Sequence, residues 1–411
     1  MNRLFAAFAG LAALSCASPS DNVDPAAKAD VPAVARDDNQ FALDLYARLR
    51  GQEGNLFFSP YSISTALAMT RAGARGDTAA EMDKVMHFAL PQEKLNPAFA
   101  ALIKQVNGDP ADKKRGYQLS TANALWAQKG YEFKADFLKI TKDDYGAGLN
   151  EEDFKTATEQ ARQTINGWVE KQTRDKIKDL LHQGDLTEDT RLVLTNAIYF
   201  KGDWASQFKK DRTKDAPFHL TADKATDAPL MHQTGEYGYL DGGSFQALEL
   251  PYAGNDLSMV VLLPKKIDGL ADLEKELTAD KLAGWTGKLR KQEVIVSLPK
   301  FKTEQRVSLK QTLSDMGMKL AFLDDKADLS GMAGEPHDLH ISDVIHKAFI
   351  DVNEVGTEAA AATAVAVATA TAVRVPEPTP EFRADHPFLF LIRDTRNDSI
   401  LFLGRLAEPA K

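Results

Sequence analysis

Residues 354–373 read EVGTEAAAATAVAVATATAV, and how this stretch is read decides the fold. After Glu358 it carries no charge, proline or glycine for 15 residues, nine of them alanine. From Thr363 it alternates strictly, with alanines separating Thr363, Val365, Val367, Thr369, Thr371 and Val373. A period of two in β-branched residues marks a strand. Yet Arg374 and the run Val375-Pro376-Glu377-Pro378-Thr379-Pro380 follow, and no central strand tolerates such prolines. The stretch is a loop by its flanks and a buried strand by its pattern, as a segment with two states would be. The plainer alternative is an alanine-rich linker or marginal helix.

The neighbouring residues decide between these. His346-Lys347-Ala348-Phe349-Ile350-Asp351-Val352-Asn353-Glu354-Val355-Gly356-Thr357, running into Glu358-Ala359-Ala360-Ala361-Ala362-Thr363, resembles the reactive-loop hinge of the serpins. Asn55 to Ser64, continuing to Gly73-Ala74-Arg75-Gly76-Asp77-Thr78, is similar to that family's N-terminal signature, and Thr195 to Trp204 matches another of its motifs. Glu249-Leu250-Pro251-Tyr252, Leu298-Pro299-Lys300-Phe301 and Phe382 to Phe390 complete the set in the family's order. The resemblance covers residues 38–408. It implies an α+β serpin fold in one domain, residues 38–411, with three β-sheets and about nine helices. A reactive-centre loop at about 354–381 would lie exposed above a five-stranded central sheet.

The resemblance also implies roles. A target serine protease attacks the loop and forms an acyl-enzyme, and the cut loop then inserts into the central sheet and traps the protease. Ser59, Ser62, Asn196 and His346 would form a polar network that gates sheet opening; satisfied buried polar groups with no gating role are the alternative. Trp204, Lys300 and Glu354 would sit where the loop first enters, with a Lys300–Glu354 ion pair closing the top of the sheet. The hinge comprises Glu354, Gly356, Thr357, Glu358, Ala359, Ala360, Ala361, Ala362 and Thr363. Counting inward-facing positions from Thr357 leaves Glu358 on the solvent side, so no charge need be buried unpaired.

In the family the scissile residue usually lies 14 positions after the hinge glycine, which here selects Ala370–Thr371 and a protease with a shallow apolar pocket, elastase-like or subtilisin-like. Gly356 to Pro387 spans 31 positions, longer than is typical, and Arg374–Val375 is the alternative bait, for a trypsin-like enzyme. A non-inhibitory serpin, acting as a binding or chaperone-like protein, is the alternative function. Such members tend to carry bulky, charged or proline residues in the hinge, and this hinge has none.

Enzyme chemistry finds no support. HExxH, GxSxG and GxGxxG do not occur, and the eight histidines lack metal-ligand spacing. Ser297-Leu298-Pro299-Lys300 fits the S-x-x-K pattern of acyl-transfer enzymes, but Val294, Val296 and Leu298 alternate as in a strand, whereas that chemistry needs a helix turn. The chain is therefore read as not an enzyme, with no cofactor or metal.

The 411 residues have a net charge of −9 and only short basic runs, such as Lys209-Lys210 and Lys288 to Lys291, which speaks against a nucleic-acid partner. A monomer is expected. The one cysteine, Cys16, ends an export-like segment. Arg3 gives a positive start, and Leu4 to Leu14 form an apolar stretch too short to span a bilayer, which needs about 20 residues. Cysteine after a small residue resembles the bacterial lipoprotein cleavage site. Residues 1–15 are read as a signal peptide cleaved before Cys16, which would be lipidated, although Ala13 stands where leucine is usual. Ordinary signal cleavage and secretion is the alternative. Residues 16–37 read as a disordered tether to the membrane surface.

Local patterns place helices over Phe41, Leu45 and Leu49, from Ser59-Pro60 to about Arg71, over 92–106 and over 157–172, with Thr78 and Glu81 forming a capping box for another. Strands are expected at 191–200, 245–251, 257–263, 293–299, 388–393 and 400–406, giving helices early and strands late.

Overall fold

The computed structural model describes residues 24–108, 115–357 and 378–409. Outside them lie the signal segment with Cys16, the hinge residues Glu358 to Thr363, and both candidate bonds, Ala370–Thr371 and Arg374–Val375. Among the described residues are nine α-helices: α1 (Pro25–Leu49), α2 (Pro60–Arg71), α3 (Gly76–Met86), α4 (Gln92–Asn107), α5 (Ala135–Asp143), α6 (Phe154–Gln172), α7 (Leu270–Glu276), α8 (Ala279–Thr286) and α9 (Lys310–Met316). The strands are β1 (Leu56–Phe58), β2 (Tyr117–Gln128), β3 (Leu149–Glu152), β4 (Leu192–Asp203), β5 (Lys214–Thr221), β6 (Lys224–Asp241), β7 (Phe245–Pro251), β8 (Leu257–Pro264), β9 (Arg290–Pro299), β10 (Phe301–Ser308), β11 (Ile341–Val352), β12 (Gly356–Thr357), β13 (Glu381–Arg383), β14 (Phe388–Asp394) and β15 (Ile400–Leu406).

The central sheet has five strands, β10-β11-β4-β2-β3, and the two-residue β12 lies between the ends of β11 and β4. The remaining strands follow the order β1-β15-β14-β8-β7-β6-β9-β13, with β5 beside β6. The 18-residue β6 pairs with β9 along most of its second half and with β7 at its end. It thereby joins into one network what the family resemblance describes as two sheets.

The helix α2 shows how sequence places the centre of the molecule. The Ser59 hydroxyl caps it by accepting from Ser62 N at 3.2 Å, and Pro60 takes the first helical position, where no amide donor is needed. Every residue from Pro60 to Thr70 is buried. The largest apolar cluster draws on α1 to α4 and on both sheets. On the other face of the central sheet α6 lays Ile165 and Val169 over Trp126, Ala197 and Tyr199 in a separate cluster.

Three expectations are corrected. The tether does not extend to residue 37: α1 starts at Pro25, capped by the Asp24 carboxylate, and buries Ala27, Val31, Val34 and Ala35. The Thr78–Glu81 capping box does not form, because α3 begins earlier, at Gly76. The Thr78 hydroxyl instead accepts from Asp328 N at 2.9 Å, and Glu81 accepts from the amides of Lys319 and Leu320, both at 2.7 Å. Strands are not confined to the second half, since β2 runs for 12 residues through a span in which the sequence pattern suggests no element.

Candidate functional site

In the central sheet β4 and β11 are parallel neighbours, paired from Leu192 with Ile341 to Tyr199 with Phe349. The chain leaves β11, turns through Asn353 to Val355, and re-enters as β12, antiparallel to both strands: Thr357 lies opposite Val352 and Gly202, and Gly356 opposite Asp203. A strand continuing from here would meet unlike directions on both sides, the arrangement an antiparallel ladder requires.

The seat for the hinge is tight. A Cβ on Gly356 would lie 2.0 Å from the Gly202 carbonyl oxygen, so no other residue fits there. The fully buried Thr357 hydroxyl meets the Tyr252 hydroxyl at 2.8 Å. Trp204 stacks on Tyr252 with ring centroids 4.7 Å apart, while its indole N–H donates to Asn353 O at 3.0 Å. Glu354 is buried, with Lys300 Nζ 3.1 Å from Oε2 and the Thr213 hydroxyl donating to Oε1 at 2.9 Å. Burial pushes this carboxyl up, but its backbone, Thr213 and Lys300 partners outweigh that and hold it below the usual glutamate value.

Deeper in the sheet, Ser59, Ser62, Asn196 and His346 come together. Asn196 and His346 face each other across the β4/β11 pairing. Ser59 N donates to His346 Nε2 at 3.1 Å. That makes Nε2 the acceptor, so the proton sits on Nδ1 and is given to Asn196 Oδ1. Asn196 Nδ2 donates to Ser62 O at 2.6 Å and to Ser62 Oγ at 2.7 Å. Burial lowers the His346 pKa to about 3, so the ring is neutral at pH 7. The network therefore holds the two strands together through uncharged, directional bonds.

Sequence reading missed Asn123 and Tyr252 as members. Asn123, on β2 opposite Asn196, accepts from Ser62 Oγ at 3.0 Å and donates to Ser62 O at 3.2 Å. The signal was weak: Ser120-Thr121-Ala122-Asn123-Ala124 has no apolar alternation. Tyr252 was visible as part of a motif, but only the fold brings it under Thr357. Ser297 does meet a base, His232 Nδ1 at 2.7 Å, but it lies on β9 beside β6 with Lys300 directed to Glu354, so the S-x-x-K arrangement is not assembled. Among the described residues no group of three or more metal-ligating side chains occurs, and no helix is long and apolar enough to cross a membrane.

Comparison with known proteins gives a consistent result. A family model described as "Serpin (serine protease inhibitor)" matches residues 36–409. The chain is 45% identical to the human "Leukocyte elastase inhibitor" over 384 residues, 90% of this chain and 98% of that protein. It is 44% identical to the Xenopus tropicalis protein of the same name, over 90% of this chain and 97% of the other. Among solved structures, Serpin48 of the insect Tenebrio molitor superposes with a TM-score of 0.82 at 35% identity, covering 93% of this chain and 99% of that one.

Proposed function

This chain belongs to the serpin family of serine protease inhibitors, and we propose that it acts as a suicide substrate for an elastase-like or subtilisin-like enzyme. The protease serine Oγ attacks the Ala370 carbonyl carbon. The Ala370–Thr371 bond breaks, Thr371 leaves as the free amine, and Ala370 remains as an ester on the enzyme. The freed strand enters between β4 and β11 and carries the ester-linked protease with it before water can attack.

One observation carries this reading: β12 already occupies the first position of that strand, antiparallel to both neighbours. Its register, continued along β4 and β11, brings residue 363 to the level of Asn196 and His346. Thr363, on the same face as Thr357, would present a hydroxyl to the two polar groups that insertion parts. The alanines at 359–362 add little volume to a packed sheet. The elastase-like target is supported by the pocket fit of Ala370 and by the names of the relatives.

The chain is also proposed to be an exported monomer, with Cys16 as a lipid anchor in the bacterial manner. With α1 starting at Pro25, residues 16–24 would form the spacer, reaching about 30 Å at roughly 3.3 Å per residue. Labelling with a radioactive fatty acid in cells making the wild type and Cys16→Ala tests this; label retained in Cys16→Ala, or absent from the wild type, refutes the anchor.

The inhibitory reading is tested by incubating the protein with elastase-, subtilisin- and trypsin-like proteases. A complex stable to denaturing electrophoresis is expected with the first two, and a released C-terminal peptide beginning at Thr371. A peptide beginning at Val375, with inhibition lost in Arg374→Ala, would move the bait to Arg374. Cleavage without any covalent complex would favour the non-inhibitory binding protein instead.

A further inference from the structure

β13 is the first described strand after the candidate bonds, and Arg383-Ala384-Asp385-His386-Pro387 leads from it into β14. Asp385 is the node of this segment. Its carboxylate accepts from Arg383 Nε at 2.7 Å, and its backbone carbonyl accepts from His219 N, on β5, at 2.7 Å. Beside it Ala384 N donates to Ser297 O, on β9, at 2.9 Å.

His386 stands between two acceptors. Its Nδ1 lies 2.9 Å from the Asp385 carboxylate, and its Nε2 lies 2.7 Å from the backbone carbonyl of Pro264, at the end of β8. A carboxylate and a carbonyl only accept, and a neutral imidazole carries a single N–H. Both contacts are hydrogen bonds only when the ring is an imidazolium. Asp385 stays ionised: burial pushes its carboxyl up, but His386 and Arg383 outweigh that and hold it below the usual aspartate value.

The His386 side chain is 8% exposed, so water does not readily replace a partner that the ring loses. Lys265, Glu381 and Arg383 are the other charged groups around the surface cavity that the ring lines. Lys265 is paired with Asp241 and Arg383 with Asp385. From β5, His219 meets the segment through its backbone N–H.

We propose that His386 is a proton-operated latch on the C-terminal root of the reactive loop. As an imidazolium it ties Asp385 to the end of β8; loss of one proton breaks one of its two bonds and loosens β13. A histidine ordinarily gives up that proton near pH 6.5, so the latch is complete at acid pH and undone on the alkaline side. The sign is opposite to that of His346, whose ring must be neutral in the closed sheet. The inference extends the suicide-substrate reading: Gly356 and Thr357 seat one root of the loop, and the latch decides whether the other is held when a protease arrives.

The test reads amide hydrogen exchange in the intact protein with no protease present, so it does not depend on inhibition. Relative to intrinsic rates, the amides of Ala384 and His219 should exchange at least about fivefold faster at pH 8.5 than at pH 5.5. His386→Gln, with no cation to donate both ways, should exchange fast at both values. His386→Arg, a permanent cation with several donors, should stay protected at both. Equal wild-type rates at the two pH values, or a pH dependence retained in His386→Arg, overturns the latch. Carbon NMR of ring-labelled histidine decides the same point without the arginine variant: the resonance missing from His386→Gln must be an imidazolium at pH 5.5, and a neutral ring there overturns the proposal. If exchange behaves as expected but no protease forms a covalent complex, the suicide-substrate reading fails and the latch stands.

Discussion

The pairing of β14 with β15 and the pairing of β4 with β11 both bury apolar side chains, but only the second also carries a buried polar network. In the first, antiparallel partners run from Phe388 with Leu406 to Arg393 with Ile400, and nearly every side chain is buried. Phe57 stacks between Phe390 and Phe402 at 5.7 and 5.3 Å. In the second, parallel strands carry Asn196 and His346 on one face, while Lys347 stands on the other and donates to the carbonyl of Lys178, between α6 and β4. Apolar surface withdrawn from water gives non-directional stabilisation that is lost wholesale when strands part. Hydrogen bonds can be exchanged for equivalent ones with an incoming strand, so the net change is small. On the proposed mechanism one sheet stays shut, and the other opens and closes again around a new member.

The largest effect that would break this contrast is in the permanent sheet. Leu391→Ala, on β14, should lower unfolding free energy by about 2–5 kcal/mol, as for other large-to-small changes in a packed core, while leaving uptake at the seam of a synthetic peptide of residues 357–369 within twofold of wild type. Denaturant unfolding and peptide uptake, measured on the same sample, separate the two. Faster uptake in proportion to lost stability would mean that the two regions are not independent.

A smaller effect follows from His346. Its folded pKa of about 3 lies below the ordinary histidine value of about 6.5, so between these values the unfolded or opened chain binds the proton that the closed sheet refuses. Stability is intact above pH 6.5 and declines as pH falls towards 3, at about 1.4 kcal/mol per unit, or about 2 kcal/mol by pH 5. The ring faces only uncharged groups in this network, Ser59 and Asn196, with Ser62 and Asn123 behind them. Thermal unfolding at pH 7.5 and 5 should show the loss in wild type, and His346→Gln should flatten it.

Much of this contrast was legible before the fold. Ser59, Ser62, Asn196 and His346 sit in recognisable motifs, and the structure brings them together. Strands such as β7 and β15 announced themselves because one or both faces are continuously apolar. What stayed hidden had mixed signals. The segment before residue 38 is rich in Ser, Asp, Ala and Pro and looked disordered, yet Asp24 followed by Pro25 is a helix start, and Ala27, Val31 and Val34 have helical spacing. In β2 both faces are covered, by α2 on one side and α6 on the other, so Ala and Ser at close contacts replaced the alternation that would have revealed it. The partners of Lys347 and Arg306 were beyond sequence reading, because two are the backbone carbonyls of residues 178 and 180, which any residue provides, and the others, Glu304 and Asp185, are carboxylates among many.

The smallest expected effect is at the top of the seam. Lys300→Met removes an ion pair whose lysine is 38% exposed, so its loss should change global stability by no more than about 1 kcal/mol. Peptide uptake should nonetheless quicken, since Glu354 would lose a partner that keeps the turn before β12 closed. An unchanged uptake rate would leave any gating to the deeper network of Ser59, Ser62, Asn196 and His346.

Whether the seam accepts the chain's own loop as a strand is tested most directly by thermal unfolding before and after a single cut near residue 370. The melting temperature of the cleaved protein should rise above that of the intact one, because the freed segment becomes a paired strand. Thr357→Arg, which would force a charge into the buried seat beside Tyr252, should abolish that rise. An unchanged or lower melting temperature after cleavage of the wild type would contradict the account.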